Sequence, residues 1–346
     1  MTSVGAGLGR VLKLEDVAFT LDVSHPVPGD RRTAHVEEIE KFCHILPSLC
    51  HLTTFSISCR GWDQKFDVAA IVAVLIAWER CDQGPQRQAG LSKVTITFPG
   101  FSLKQAGDAT TIHCGIQSRV PKQLVQCTSI LRRMEYIDLD ISELMDACSM
   151  VVRGMSVIGY VKRVQLRAKG LEISKFEDRQ MDITFSGCRP PGDLHSAVAS
   201  WFSQVNVKTL NLKLAGTAWI NPPQRWSVLC WSRREPPPQG NELLLFRIAE
   251  LRNVQNLLID LQDANCEDIA QRAVGQALQL FGAESQQLMR VEISTFCLSA
   301  SRKVQAVLAA GLQNAVCSEG TYEIFDPNQA AIAFSIAVAL ERVGLR

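Results

Sequence analysis

The sequence predicts an α/β protein built as a solenoid of helix–strand repeats, with one parallel sheet and its helices on one face. Three observations predict this fold. Short segments that alternate apolar and polar residues recur along the 346-residue chain at intervals of 27 to 47 residues. Nearly every such segment follows a stretch with helical periodicity, and the order β-α-β-α implies parallel strands. Most of the strands alternate strictly, so one sheet face should be solvated.

A doubly wound or mixed α/β domain is the alternative fold. In a doubly wound sheet helices cover both faces, and the strands become apolar along their whole length. Only the segment NLLIDL is apolar enough to satisfy that condition. The alternation elsewhere favours the open repeat array, since each repeat of a solenoid packs only against its neighbours.

The elements of the N-terminal half follow this rhythm. Apolar residues spaced three and four apart predict helices, and alternating apolar residues predict strands. The Gly-rich residues 1–16 are expected to be loose, and residues 99–120 to be a weakly patterned connection. The helix at 68–78 is apolar on every side, which predicts deep burial. The predicted elements are the strand 17–23, the helix 36–49, the strand 52–59, the helix 68–78, the strand 91–98, the helix 124–131 and the strand 136–141.

The C-terminal half continues the pattern to the end of one repeat domain, residues 1–346. A helix at 328–346 is expected to cap the last repeat, because a terminal repeat exposes an apolar flank unless something covers it. Residues 215–241, rich in Trp and Pro, are expected to be an insertion. The other predicted elements are the helix 144–155, the strand 161–168, an extra strand 181–185, the helix 194–202, the strand 207–214, the helix 243–251, the strand 254–261, the helix 269–280, the strand 288–295, the helix 304–312 and the strand 321–325.

Four sequence segments combine a helix end, a short turn and an alternating strand of the L-x-L type: LPSLCHLTTFSIS, LRRMEYIDLDI, VKTLNLKL and LRNVQNLLIDL. In this arrangement the chain resembles the leucine-rich-repeat superfamily, and most of all its irregular, long-repeat members of the ribonuclease-inhibitor-like and F-box-associated types. The resemblance extends from about Val36 to Phe325. The full L-x-x-L-x-L-x-x-N pattern and a helical F-box ahead of the repeats are absent. The resemblance implies a horseshoe that binds a protein partner.

Composition excludes several classes of partner and compartment. The net charge is +1, which gives no reason to expect nucleic acid or an anionic membrane. The longest apolar runs, 68–78 and 330–340, are too short for a bilayer span. The 12 cysteines form no C-x-x-C pair, and no apolar segment typical of a secretory leader opens the chain. We therefore expect free cysteines and a cytoplasmic or nuclear protein that is not secreted.

The residues that could perform chemistry favour no catalytic, cofactor or metal site. The six histidines show no H-E-x-x-H or paired His/Cys spacing. His113 and Cys114 are adjacent, whereas a Cys–His nucleophile is normally assembled from distant parts of the chain. Asp138 and Asp140 share a strand face, as residues i and i+2 of any strand do. We therefore predict a protein that is not an enzyme and holds no cofactor or metal.

The polar strand face and the Trp-rich insertion are the predicted binding surface. Solenoids bind partners along their concave sheet face, and Trp is a common interface anchor. The function predicted is a non-enzymatic protein–protein interaction scaffold. The alternatives are an α/β enzyme with a site at the strand C-termini, or a substrate adaptor of a ubiquitin ligase. The partner-binding candidates are Asp138, Asp140, Gln165, Arg167, Asn211, Lys213, Asp260, Glu292, Trp219, Trp226 and Trp231, accompanied on the strands by Ser56, Ser58, Thr95, Thr97 and Ser294.

Overall fold

The chain forms a mixed α/β structure with open sheets. The computed structural model describes residues 14–22, 29–49, 51–60, 64–83, 91–186, 193–214, 240–251, 253–260, 290–294 and 321–325. Two compact units divide the chain, Met1–Lys169 and Gly170–Arg346.

In the N-terminal unit, seven strands follow one another across the sheet in chain order. The elements are β1 Asp16–Asp22, α1 Gly29–Ile45, β2 Thr54–Arg60, α2 Gln64–Gln83, β3 Lys93–Phe98, β4 Phe101–Ala106, β5 Ala109–Cys114, α3 Arg119–Gln126, α4 Thr128–Leu131, β6 Tyr136–Ile141, α5 Cys148–Gly154 and β7 Arg163–Ala168. Five of these strands, all but β4 and β5, were predicted, and so was their order. The pairs β1–β2, β2–β3, β5–β6 and β6–β7 are parallel.

The prediction of a purely parallel sheet is wrong. Strand β4 pairs antiparallel with both β3 and β5, in the segment that we expected to be a connection. Two residues separate Phe98 from Phe101, and a connection this short can join only antiparallel strands. Gly100 and Gly107 supply the positive φ values of the two turns, 71° and 57°. The antiparallel pairs therefore follow from turn chemistry.

The apolar residues predicted at the strand centres do form one buried face in this unit. Ile57, Ile96, Leu139 and Leu166 are fully buried. The register also aligns Leu103 of β4 and Ile112 of β5 between them, and both are fully buried. The polar residues between these positions are mostly half-buried or exposed. One face of the sheet thus contributes to the core, and the other presents polar side chains.

Helix α2 lies over the buried face. Trp78 donates a hydrogen bond through Nε1 to Oε1 of Gln105, 3.1 Å away, and Gln105 is the buried polar residue of β4. Ile71, Val74 and Leu75 are fully buried, as predicted for a core helix. The opposite face of α2 is different, since it is half-buried or exposed. Apolar residues occur on every side of this helix, but only one side of it is deeply buried.

The elements of the C-terminal unit are β8 Leu171–Phe176, β9 Gln180–Phe185, α6 Leu194–Ala199, β10 Thr209–Leu214, α7 Gly240–Arg247, β11 Asn256–Asp260, β12 Arg290–Ser294 and β13 Thr321–Phe325. Strand β8 pairs antiparallel with β9, and β9 to β13 are parallel in chain order. The extra strand predicted at 181–185 is confirmed as β9. Leu212 lies in register between Ile183 and Ile259, and all three are buried.

Several predictions concern segments outside the described residues. These are most of the N-terminal segment 1–16, nearly all of the insertion 215–241, the helices 269–280 and 304–312 and the capping helix 328–346. Among the helices that are described, none has the length and apolar character to cross a membrane.

Candidate functional site

The polar face of the N-terminal unit brings four of the predicted binding residues together. Asp138 of β6 lies opposite Gln165 of β7, and Asp140 lies opposite Arg167. Because alternate residues of a strand point to the same face, these four side chains form a square of neighbours on the solvated side.

Arg167 connects the two carboxylates of this square. Its Nη2 lies 2.6 Å from Oδ1 of Asp138, and its Nε lies 3.8 Å from Oδ2 of Asp140. The arginine side chain is 41% exposed and that of Asp138 is 18% exposed, so the closer pair is partly shielded from water. Such an arrangement holds the guanidinium in place and leaves part of it available to a ligand.

Asp140 is further fixed by the turn that follows β6. Oδ1 of Asp140 accepts hydrogen bonds from the backbone N–H and the hydroxyl of Ser142, at 3.1 and 2.7 Å. Partial burial acts to raise the pKa of Asp140, but the hydrogen bonds from Ser142 and the charges of His113 and Arg167 outweigh it and lower that pKa overall. Asp140 is therefore a stable anion at neutral pH.

Tyr136 closes one end of the cluster. Its hydroxyl donates to Oε1 of Gln165 over 3.3 Å. Burial, together with the charge of Asp138, raises the pKa of Tyr136 and keeps its hydroxyl protonated. The cluster thus offers a tyrosine hydroxyl, an amide, a guanidinium and two carboxylates on one surface.

His113 also belongs to this face, which the sequence alone did not reveal. Its Nδ1 lies 3.8 Å from Oδ2 of Asp140. Cys114, the next residue of β5, points to the opposite face and is fully buried, and burial raises the pKa of its thiol to about 11. His113 and Cys114 therefore do not form a nucleophile–base pair. Within the described part of the chain, no cluster of three or more His, Cys, Asp or Glu side chains could hold a metal ion.

The C-terminal unit has a groove of about 370 Å³ on its polar strand face. Its lining includes three predicted binding residues, Asn211 and Lys213 of β10 and Asp260 of β11. Asp182 of β9 and Leu258 of β11 complete it on either side of Asn211. The groove runs across three adjacent parallel strands and combines charged, amide and apolar side chains.

Asp182 is the centre of the hydrogen bonds in this groove. It accepts from Nδ2 of Asn211, from Nε2 of Gln180 and from the hydroxyl of Ser174. Oδ1 of Asn211 is buried and has no hydrogen-bond partner among the residues that the structure describes. Buried acceptors without a partner are uncommon, because such an oxygen has lost its water without gaining a hydrogen bond in exchange. Nearby, Nζ of Lys213 lies 3.6 Å from Oδ2 of Asp260.

The remaining predicted residues divide into three groups. Ser56, Ser58, Thr95 and Thr97 are half-buried on the polar face of β2 and β3, in paired register. Glu292 and Ser294 belong to β12, whose backbone pairs with β11, but their side chains are not among those described. Trp219, Trp226 and Trp231 lie outside the described residues.

Comparison of the sequence with models of known protein families and with curated proteins finds no match.

Proposed function

We propose that the protein is a non-enzymatic interaction scaffold that binds a protein partner on its polar strand face. The observation that carries this proposal is the groove around Asn211, where a buried acceptor with no partner among the described residues lies between an anchored carboxylate and a lysine. Sites that recognise a ligand commonly place a few fixed polar groups beside apolar surface. Leu258 supplies the apolar surface here.

The chemistry of the groove favours a peptide segment as the bound group. A rotation of the Asn211 side chain that turns Oδ1 toward the groove would let a backbone or side-chain N–H of the partner donate to it, and an apolar side chain would pack on Leu258. A partner carboxylate near Lys213, or a cation near Asp260, would set the orientation by exchanging with the Lys213–Asp260 pair. Polar contacts of this kind determine specificity more than affinity.

We also propose that the chain is an irregular leucine-rich-repeat-like solenoid with helices on one sheet face. The strands of each unit follow chain order, and apolar residues align across neighbouring strands. The antiparallel strands β4 and β8 are additions to that pattern. A cytoplasmic or nuclear location accompanies this proposal, in keeping with the six described cysteines, which are all free and buried.

The test compares partners captured by the wild-type protein with those captured by Lys213→Glu, which reverses a charge in the groove. Lys122→Glu is the matched control, because Lys122 is exposed on helix α3. Proteins in the captured set are identified and quantified by mass spectrometry. We expect a partner that the control captures as well as the wild-type protein does, and that Lys213→Glu captures about tenfold less. A tenfold loss of affinity corresponds to about 1.4 kcal/mol. A set of partners captured equally by all three proteins would refute the assignment of the groove.

A further inference from the structure

The outer face of α2 forms the floor of a groove of about 710 Å³ in the N-terminal unit. Two neighbouring rows of small and aliphatic side chains make this floor, at spacings of four residues. One row is Val68, Val72 and Ile76, and the other is Ala69, Ala73 and Ala77. Most of these side chains are half-buried or exposed, although they are apolar. A surface helix normally places polar residues on such a face.

The shape of the floor matches a second helix. From Val68 to Arg80 the axis of α2 rises about 18 Å, which is the length of about three helical turns. A row of alanines lets another helix approach closely, and the larger row beside it provides a ridge for packing. Cys43 of α1 and Ser118 at the start of α3 form the walls. The opening is therefore long enough for one face of a short helix.

The charges on the rim favour an acidic occupant. His44 in the last turn of α1, Arg80 in the last turn of α2 and Arg119 at the first residue of α3 surround the apolar floor. Glu40 is the single acidic side chain among the described residues of the lining. Arg80 and Arg119 are exposed, and neither forms an ion pair with any residue that the structure describes. Their charges are thus available to a partner.

From these observations we propose that the groove docks an amphipathic helix of a partner protein, with an apolar stripe on α2 and acidic side chains facing Arg80 and Arg119. Binding of an amphipathic helix in an apolar groove is a common mode of peptide recognition. Within the N-terminal unit this site is separate from the polar strand face, because α2 covers the other side of that unit's sheet.

A display library of peptides provides the probe. The peptides are about 16 residues long, with Leu or Ile fixed at helical spacing i, i+3, i+4 and i+7 and with acidic, basic and neutral residues equally represented elsewhere. Selection on the full-length protein should enrich peptides that carry Asp or Glu beside the apolar stripe. The best peptide is then labelled with fluorescein, and its Kd is measured by anisotropy.

Variants of the rim and the floor decide the result. We expect Arg80→Glu and Arg119→Glu each to weaken binding about fivefold, because each reverses one exposed charge. Ala73→Glu should weaken it more, since it places bulk and charge on the floor. Arg132→Glu, an exposed arginine outside the groove, should leave Kd unchanged. If the Kd of the peptide rises in the rim variants and is unchanged in Lys213→Glu, the peptide binds this groove and not the polar face.

Three results would overturn the proposal. The first is that selection enriches no peptide, which would mean that other parts of the chain fill the groove. The second is that the enriched peptides are basic, or bind Ala73→Glu and Arg80→Glu as well as the wild-type protein. The third is that the free protein dimerises in sedimentation experiments and Ala73→Glu makes it monomeric, which would assign the groove to a second copy of the chain.

Discussion

Leu212 provides the most direct test of which strand face is buried. It lies at the middle of β10 with 1% of its surface exposed. Its neighbours in register are Ile183 and Ile259, which are 0% and 2% exposed. The substitution Leu212→Asp would place a carboxylate among these aliphatic side chains.

The expected loss of stability has two contributions. Truncating a buried leucine costs about 2–5 kcal/mol, because transfer free energy is lost and a cavity remains. An unpaired buried charge adds several kcal/mol, or forces the carboxyl to stay protonated. The total for Leu212→Asp at neutral pH is therefore at least about 5 kcal/mol, which equals the whole stability of many natural domains. We expect this variant to be largely unfolded or to aggregate.

Lys213→Ala is the matched control on the opposite face. The side chain of Lys213 is 42% exposed, and its ammonium lies 3.6 Å from the Asp260 carboxylate. Loss of such an exposed ion pair costs about 0.2–1 kcal/mol. Leu212→Ala is an intermediate variant, with an expected cost of about 2–5 kcal/mol, in case Leu212→Asp cannot be purified.

Urea unfolding followed by tryptophan fluorescence measures these differences as shifts of the midpoint. Burial raises the pKa of an introduced aspartate, so the destabilisation by Leu212→Asp should decrease as the pH falls and the carboxyl becomes protonated. Equal midpoints for Lys213→Ala and the Leu212 variants would mean that the two faces of β10 have been assigned in reverse.

Three further predictions concern the thiols, one carboxylate and the C-terminus. Nearly all of the 12 cysteines should titrate in urea without reductant, and recovery of only a few would indicate disulfides. In the native protein Cys127 and Cys148 should react slowly, because burial raises the pKa of each thiol to about 12. The lowered pKa of Asp140 means that its carboxylate stabilises the fold at neutral pH and that this contribution is lost as the pH falls through that pKa. Asp140→Asn should therefore reduce the difference in stability between neutral and acidic pH, and the same result for the exposed Asp146→Asn would contradict this. Truncation after Pro327 should give an aggregating or partly unfolded protein by light scattering, and an unchanged melting temperature would show that residues 328–346 are not a cap.

The strand centres could be predicted because their periodicity is strong. Ile57, Ile96 and Leu139 each alternate with polar neighbours, and all three are fully buried. Strands β4, β5 and β8 were missed for a physical reason. Gln105, Thr110 and Lys175 occupy buried positions on β4, β5 and β8, where an apolar residue would have revealed the alternation. Gln105 satisfies its amide with Trp78 and a backbone carbonyl, which is information that only tertiary structure contains.

The candidate site, like the strands, could be predicted only where strand alternation is regular. Asp138 and Arg167 could be placed on one face from strand alternation alone, and the structure brings them into contact. Asp182 belonged to a predicted strand but had no evident role until Asn211 was found to donate to it. The groove on α2 was not predictable, since an apolar helix surface has the same pattern whether a neighbour covers it or not.

The segment from β3 to β5 has a consequence for the order of folding. Its strands are joined by turns of two residues, so the pairings β3–β4 and β4–β5 are local, whereas each parallel pair requires closure of a much longer loop. Hairpins form in about 1–10 μs, and long-range pairing is slower. Residues 93–114 are thus expected to form the folding nucleus of the N-terminal unit, and substitutions there should slow refolding. Substitutions in β1 should instead accelerate unfolding, because its pairing with β2 is added late.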